Sequence, residues 1–181
     1  WLGNDYFARQ GAQIHAMSAT VQTQKAAAQQ QIAGMTRFVG DQMKGTVPKH
    51  ADQVHAGSEA ALNLGGVAVQ WVQTNAHYPG DTWIYLPAQS TVFTGDLVYV
   101  DRMLGVLHQS NVSQGDQAFA RLRTLAPQQV VPGHGRVTDM AQAQKESGDY
   151  YRFLIDNVGA AARNMDPITE TLDKFSSPAQ F

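Results

Sequence analysis

The sequence of 181 residues contains no cysteine, and this absence excludes disulfide bridges, thiolate metal sites and cysteine nucleophiles. Any metal ion would therefore be held by histidine and carboxylate side chains. Charged residues are also scarce, at 15%, and the formal net charge is only -2. Nucleic-acid-binding proteins usually carry a basic surplus, so we expect no nucleic-acid partner. Because no apolar run approaches the roughly 18 residues of a membrane span, we expect no membrane partner either.

The length suits one domain or a large part of one, and a hydrophobic fraction of 43% is enough for a buried core. Residues 1–7 lack the basic region and apolar stretch of a signal peptide. They are typical of the middle of a domain, so we expect the natural chain to begin further upstream. The localisation therefore stays open between cytoplasm and periplasm.

Apolar periodicity and turn residues predict a mixed order of helices and strands. Gly65-Gly66 predicts a hairpin between strands 59–64 and 67–73. Ser18 is a candidate N-cap for a long helix over residues 19–43, and Ser113 for a helix that ends near Leu125. The pattern also predicts strands at 13–16, 83–86, 91–94 and 129–131, and helices at 4–10, at 139–162 and after Pro167. This order indicates an α/β layered domain.

Three side chains with metal-binding chemistry follow predicted strands directly: His77, Asp96 and His134. Because strand-end loops can converge at one edge of a sheet, we expect the three to gather around one point. Two imidazoles and a carboxylate suit Zn²⁺, with Fe or Mn as alternatives. Taken singly, each residue could instead belong to an ordinary turn or helix cap. Asp81 could support His77 or cap the turn beside Thr82.

The motifs around these residues resemble those of the metallo-β-lactamase superfamily. The matching segments are His77-Tyr78-Pro79-Gly80-Asp81-Thr82, Phe93-Thr94-Gly95-Asp96-Leu97 and Val131-Pro132-Gly133-His134-Gly135. In that family they are the third, fourth and fifth metal motifs. Residues 1–7 resemble the helix start that follows the second motif, His-x-His-x-Asp-His. The resemblance runs to roughly residue 160 and implies an αββα sandwich.

The second motif itself does not occur anywhere in the sequence. The remaining histidines, His15, His50, His55 and His108, have no neighbours that would replace it. The resemblance therefore implies that residues 1–181 are the C-terminal portion of a single metallo-β-lactamase-like domain whose N-terminal half is missing. A natural short protein without the motif is the alternative. A half domain would expose apolar surface, so we expect self-association through the surface that the missing half would cover.

The resemblance also implies the roles of the ligands. A complete domain would hold two zinc ions, with His77 at one, His134 at the other, and Asp96 bridging both as the catalytic carboxylate. A metal-activated water would hydrolyse an ester, thioester, lactone or lactam of a small-molecule substrate. Aspartate at position 96, where other members have cysteine, resembles the glyoxalase II and lactonase branches. Because the three ligands belong to two metal sites, we expect the fragment alone to bind metal weakly and to be inactive.

Substrate contacts and alternative functions complete the hypothesis. Tyr78, Tyr99 and Arg102 lie next to the ligand motifs and are candidate substrate contacts. The alternative for the tyrosines is ordinary packing, and Arg102 could simply pair with Asp101. A non-catalytic α/β module, in which the His and Asp motifs only shape loops, is the alternative to a hydrolase. A nuclease branch of the superfamily is disfavoured by the acidic charge balance.

Overall fold

A computed structural model describes residues 1–178, which form an α/β fold with two sheets. The chain divides into two compact units, Trp1–Ala60 and Ala61–Phe181, with the boundary inside one strand of the larger sheet. The expectation that residues 1–181 belong to a single domain stays a prediction. Among the described residues, no helix combines the length and the apolar character needed to cross a membrane.

The first unit is built around two short parallel strands, β1 and β2, which pair His15 with Gln53 and Met17 with His55. Helix α1 precedes β1, and two helices and a 3-10 turn follow it. Few side chains of this unit are buried, with Met17 and Val21 as its buried apolar residues. The elements are α1 (Asn4–Arg9), β1 (His15–Met17), α2 (Ser18–Ala26), α3 (Ala28–Val39), a 3-10 turn (Gly40–Met43) and β2 (Gln53–His55).

The prediction of one helix over residues 19–43 is wrong. Ala27 leaves the helical conformation, with φ -96° and ψ 3°, and separates α2 from α3. Gly40 ends α3 with φ 56°, a left-handed conformation that glycine adopts without steric cost. Ser18 is also not the N-cap, because the extended residue Met17 takes that position and no side chain caps the helix.

The second unit carries a five-stranded sheet in the order β3-β4-β5-β6-β7. The predicted hairpin is confirmed, with Gly65 at φ 58° and Gly66 at φ 88° between β3 and β4. The β4/β5 and β5/β6 pairs are antiparallel, and β6/β7 is parallel, joined through helix α4. The elements are β3 (Glu59–Leu64), β4 (Val67–Gln73), β5 (Thr82–Leu86), β6 (Thr91–Tyr99), α4 (Val112–Thr124) and β7 (Gln129–His134).

Strands β6 and β7 are unevenly matched. Phe93 pairs with Val131 and Tyr99 pairs with His134, so six steps along β6 correspond to three along β7. The extra residues form irregularities on either side of Gly95, and Asp96 lies among them. The prediction that β7 stops before Pro132 is wrong, because Pro132 pairs with Gly95 where the ladder is already interrupted.

Helices cover the sheet and complete the core of the second unit. The C-terminal helices alternate with π-helical turns and run without a gap from Met140 to Arg163. The predicted helix over 139–162 is therefore largely correct. Asn111, rather than the predicted Ser113, caps α4, because its side chain accepts a hydrogen bond from the Gln114 amide. Asp139 caps α5 in the same way. These segments are α5 (Met140–Ala143), a π turn (Gln144–Gly148), α6 (Asp149–Phe153), a π turn (Leu154–Val158), α7 (Gly159–Arg163) and α8 (Ile168–Phe175).

Candidate metal centre

The structure brings His77, Asp96 and His134 together at one edge of the sheet. The Asp96 carboxylate lies between the two imidazoles, with Oδ2 3.4 Å from His77 Nε2 and Oδ1 3.6 Å from His134 Nε2. His77 is the most enclosed of the three, with 12% of its side chain exposed, against 36% for Asp96 and 42% for His134. The three side chains, separated by up to 57 positions in the sequence, therefore share one site that opens to solvent.

The hydrogen bonding of His77 determines what its second nitrogen can do. Nδ1 lies 3.0 Å from the backbone oxygen of Gly105. A carbonyl oxygen can only accept, so Nδ1 carries the proton and Nε2 of a neutral imidazole presents a lone pair. His77 Nε2 lies 3.4 Å from Oδ2 of Asp96. Two electron-rich atoms facing each other need a proton or a cation between them, and a carbonyl on the far nitrogen is the usual arrangement around a metal-bound histidine.

The distances can be tested against a metal ion. A tetrahedral Zn²⁺ with N and O bonds of about 2.0–2.1 Å would hold its two donor atoms about 3.3–3.4 Å apart. The His77–Asp96 separation of 3.4 Å fits that value, and the His134–Asp96 separation of 3.6 Å is close to it. Within residues 1–178, however, no three His, Asp or Glu side chains form a group that could hold one metal ion on their own. One His77–Asp96 distance therefore suits a shared cation, but the described residues do not complete a metal site.

Asp81 fixes the loop that carries His77. Its Oδ1 accepts from the Thr74 hydroxyl at 2.7 Å and from the Ala76 amide at 3.0 Å, and its Oδ2 accepts from the His77 amide at 3.0 Å. Asp81 therefore caps the backbone of the loop and does not contact the imidazole. Ser110 holds the same loop from the other side, donating to the His77 backbone oxygen at 2.7 Å.

The absence of a side chain at Gly133 permits the close approach of β6 and β7 at the site. A Cβ added there would lie 2.6 Å from the carbonyl carbon and 2.7 Å from the carbonyl oxygen of Gly95, and closer still to Asp96 Oδ1. Backbone atoms cannot move aside cheaply, so only glycine fits between the two ligand-bearing strands. Gly135 is restricted in a different way, with φ 96° and the Val100 backbone against it.

Tyr99 packs against the ligands from inside the protein. Its ring centroid lies 4.3 Å from that of His134 and 6.0 Å from that of His77, and only 5% of the residue is exposed. Burial raises the pKa of Tyr99 to about 12, and the negative charge of Asp96 and a hydrogen bond with it add to the effect. Tyr99 is therefore a packed residue, as the alternative predicted, but the rings it packs against are those of His77 and His134.

Ser147 is a residue that sequence reasoning missed. It lies in the first π turn, is fully buried, and bonds both polar backbone groups of Tyr99. Its Oγ accepts from the Tyr99 amide at 2.9 Å and donates to the Tyr99 carbonyl oxygen at 2.7 Å. Nothing in the sequence marks this serine, because the π turn that directs it inward has no compositional signal.

The other candidate substrate contacts are more exposed. Tyr78 is half-buried, and its hydroxyl lies 3.5 Å from Gln109 Nε2. Arg102 is exposed and places its guanidinium 5.6 Å from the centre of the Tyr99 ring, a cation–π contact. The expected alternative of an Arg102–Asp101 ion pair is wrong, because Asp101 pairs with Arg136.

A second histidine pair lies in the first unit. His15 Nδ1 and His55 Nε2 are 3.0 Å apart across strands β1 and β2. In a hydrogen bond between them, one ring nitrogen donates and the other accepts. The sequence spacing did not indicate this pair, because parallel strands joined by two helices bring together residues that are 40 positions apart.

Comparison with known proteins supports the fold but not a sequence family. No family model and no curated protein matches the chain. A metallo-β-lactamase from Pontibacter korlensis has a TM-score of 0.62 and 21% identity, covering 83% of this chain and 62% of that one. The DIM-1 metallo-β-lactamase gives 0.61 and 19%, covering 83% and 62%. A metallo-β-lactamase family protein from Thermus thermophilus gives 0.62 and 14%, covering 91% and 60%. The chain thus spans about three fifths of these structures.

Proposed function

This chain has the metallo-β-lactamase fold, and on that basis we propose that it contributes to a metal-dependent hydrolase with His77, Asp96 and His134 as ligands. The observation that carries the proposal is the carboxylate of Asp96 between two imidazole Nε2 atoms, at 3.4 and 3.6 Å. Zn²⁺ is the first choice of metal for these donors, with Fe or Mn as alternatives. A bound metal pair would supply an activated water and polarise the substrate oxygen.

The chain's own residues would prepare the site for that chemistry. The Gly105 carbonyl keeps the proton of His77 on Nδ1 and leaves Nε2 as a donor atom. The two carboxylate oxygens of Asp96 would provide negative charge to cations on either side of it. Tyr99 packs against the His134 imidazole and hydrogen-bonds to Asp96, and these contacts would orient the carboxylate.

The substrate class we propose is a small ester, thioester, lactone or lactam, with an anionic group recognised near Arg102. A cavity of about 590 Å³ lies beside Arg102 and Lys145. Its two acidic neighbours are already engaged, since Asp101 pairs with Arg136 and Glu146 Oε2 accepts from the Asp101 amide at 2.5 Å. Arg102 and Lys145 are the basic side chains that line this cavity, and they would pair with an anionic group of the substrate.

Metal binding tests the proposal directly. We expect the chain to bind Co²⁺, a spectroscopic substitute for Zn²⁺, weakly and with a visible absorption band. His77→Ala and His134→Ala should each weaken binding by at least about tenfold, because even removing a partner of a ligand typically costs 10–100-fold. His108→Ala is the matched control, since His108 is exposed and outside the site. Equal Co²⁺ affinity in all three variants would refute the assignment of the ligands.

A non-catalytic α/β module is the second candidate, and one observation favours it: no complete three-ligand group is present in the part of the chain that is described. In that case the three side chains would only shape loops. A screen of ester, thioester, lactone and lactam hydrolysis, with and without chelator, on a version extended upstream separates the two functions. Chelator-sensitive turnover that disappears in Asp96→Asn supports the hydrolase, and its absence supports the module.

We also propose that the chain associates with itself through the apolar surface that the missing half of the domain would cover. Phe38 is 89% exposed and Tyr6 is 67% exposed. These are large apolar side chains in contact with water, and a contiguous patch of such side chains marks an interaction surface. Light scattering should show a mass above 19.7 kDa that falls towards that value in Phe38→Ser. A wild-type chain that stays monomeric at high concentration contradicts this part of the proposal.

A further inference from the structure

The candidate metal centre presents one of its two ligand pairs to solvent. His134 and Asp96 have 42% and 36% of their side chains exposed, and His134 Nε2 lies 3.6 Å from Asp96 Oδ1. His77, on the other side of the carboxylate, is only 12% exposed. An ion between His134 and Asp96 could therefore be reached by a second molecule, whereas the His77 imidazole is largely enclosed.

The exposed pair supplies only part of the coordination that a metal ion needs. Zn²⁺ usually takes four ligands in a tetrahedral arrangement, so one imidazole and one carboxylate oxygen leave two positions open. Within residues 1–178, no group of three His, Asp or Glu side chains could hold the ion by itself. A second copy of the chain offers the same two donors and would fill both open positions.

Apolar side chains close to the site in the chain are exposed as well. The backbone oxygen of Gly105 lies 3.0 Å from His77 Nδ1, and the next two residues, Val106 and Leu107, are each 45% exposed. Val137, in the loop that follows β7, is 57% exposed. Protein interfaces gain stability by burying apolar surface, so these side chains favour a protein partner at this edge of the sheet.

The charges at the exposed pair make association depend on the metal. Each copy would bring the carboxylate of Asp96 to the contact, and each chain carries a formal net charge of -2. Two copies therefore repel each other at this point when no cation is present. One divalent ion cancels the charge of the two carboxylates, and the imidazoles coordinate it in their neutral form.

We propose that one divalent metal ion joins two copies of this chain, with His134 and Asp96 of each copy as its four ligands. The inference rests on the metal ligands of the proposed function, but it does not require hydrolysis. It differs from the apolar self-association proposed above, because that association needs no metal. The partner is a second copy of the chain, which completes the ligand set.

Light scattering of the full chain during a Co²⁺ titration tests the proposal, with the mass in chelator as the reference. We expect Co²⁺ to double that mass and to produce the intense visible absorption of four-coordinate Co²⁺. Because assembly takes two chains, the Co²⁺ concentration at the midpoint should fall as the protein concentration is raised. Association that persists in chelator belongs to the apolar contact and is already contained in the reference mass.

His134→Ala should raise the midpoint of the mass change at least about tenfold. The side chain is 42% exposed, so the substitution should leave the fold intact. His108→Ala is the matched control, since His108 is also exposed and lies outside the ligand set, and its midpoint should equal that of the wild type.

Co²⁺ bound by a chain whose mass does not change would overturn this proposal and leave the ligands of the proposed function intact. A chain that binds no Co²⁺ would overturn both. An unchanged midpoint in His134→Ala, or a raised midpoint in His108→Ala, would assign the mass change to other side chains and would also overturn the proposal.

Discussion

Replacing Ser147 with alanine should destabilise the second unit strongly, although the serine contacts no candidate ligand directly. The substitution removes the hydroxyl that bonds the Tyr99 amide and carbonyl groups, at 2.9 and 2.7 Å. Both groups belong to a residue that is 5% exposed, so water cannot readily replace the hydroxyl. At about 1–3 kcal/mol for each unpaired buried group, the expected loss in the free energy of unfolding is about 3 kcal/mol.

Urea unfolding measures that loss. With a slope of about 1–3 kcal/mol per M, the midpoint should fall by roughly 1–3 M. Hydrogen exchange gives a local measurement, because the Tyr99 amide should exchange faster in Ser147→Ala. Ser113→Ala is the matched control, since Ser113 is not buried in α4, and its effect should stay within about 0.5 kcal/mol.

Two results would refute this reasoning. One is a Ser147→Ala variant no less stable than Ser113→Ala. The other is an unchanged exchange rate at the Tyr99 amide despite lower overall stability, which would mean that the serine acts through packing alone. If the reasoning holds, Ser147→Ala should also weaken Co²⁺ binding, because the Tyr99 ring that packs on His134 would lose its fixed backbone.

Three further predictions concern the site. Gly133→Ala should lower the free energy of unfolding by about 3 kcal/mol, because its Cβ would press on the Gly95 carbonyl. Gly34→Ala is the control: Gly34 faces open space in α3, and alanine there should raise the free energy of unfolding slightly. Equal urea midpoints for the two variants would contradict this prediction. Asp81→Asn should lower Co²⁺ affinity about 10–100-fold through the His77 loop, whereas Asp139→Asn, which keeps a helix cap, should not. The pKa of Tyr99 is raised to about 12, so the folded chain keeps a proton that the unfolded chain releases above pH 10. The contribution of Tyr99 to stability should therefore be complete below pH 10 and fall by about 2 kcal/mol as the pH rises to 12. Urea unfolding should show a shallower fall in Tyr99→Phe.

The parts of the fold that sequence predicts well are those with a local cause. The hairpin at Gly65-Gly66 needs two residues with positive φ, and two glycines supply them. The α/β class follows from the change of apolar period along the chain. The gathering of His77, Asp96 and His134 could also be predicted, because loops that follow neighbouring strands can converge at one edge of a sheet.

The parts that sequence does not predict depend on contacts between distant residues. Ser18 and Ser113 have the residue type of a cap, but Met17 and Asn111 occupy the positions because the backbone turns one or two residues earlier. The inward direction of Ser147 depends on a π turn, which changes the helical phase without a marker in the composition. The continuation of β7 through Pro132 depends on an irregularity in its neighbour β6.

The unequal pairing of β6 and β7 makes the position of Asp96 a matter of chain length as much as of residue identity. Between the anchoring pairs at Phe93 and Tyr99, β6 carries a surplus of three residues over β7. Deleting three residues there would restore regular pairing between β6 and β7. The two-residue alternation of a regular strand would then decide which face of the sheet Asp96 points to. Changes in length between these anchors should therefore abolish the site even when every ligand is retained.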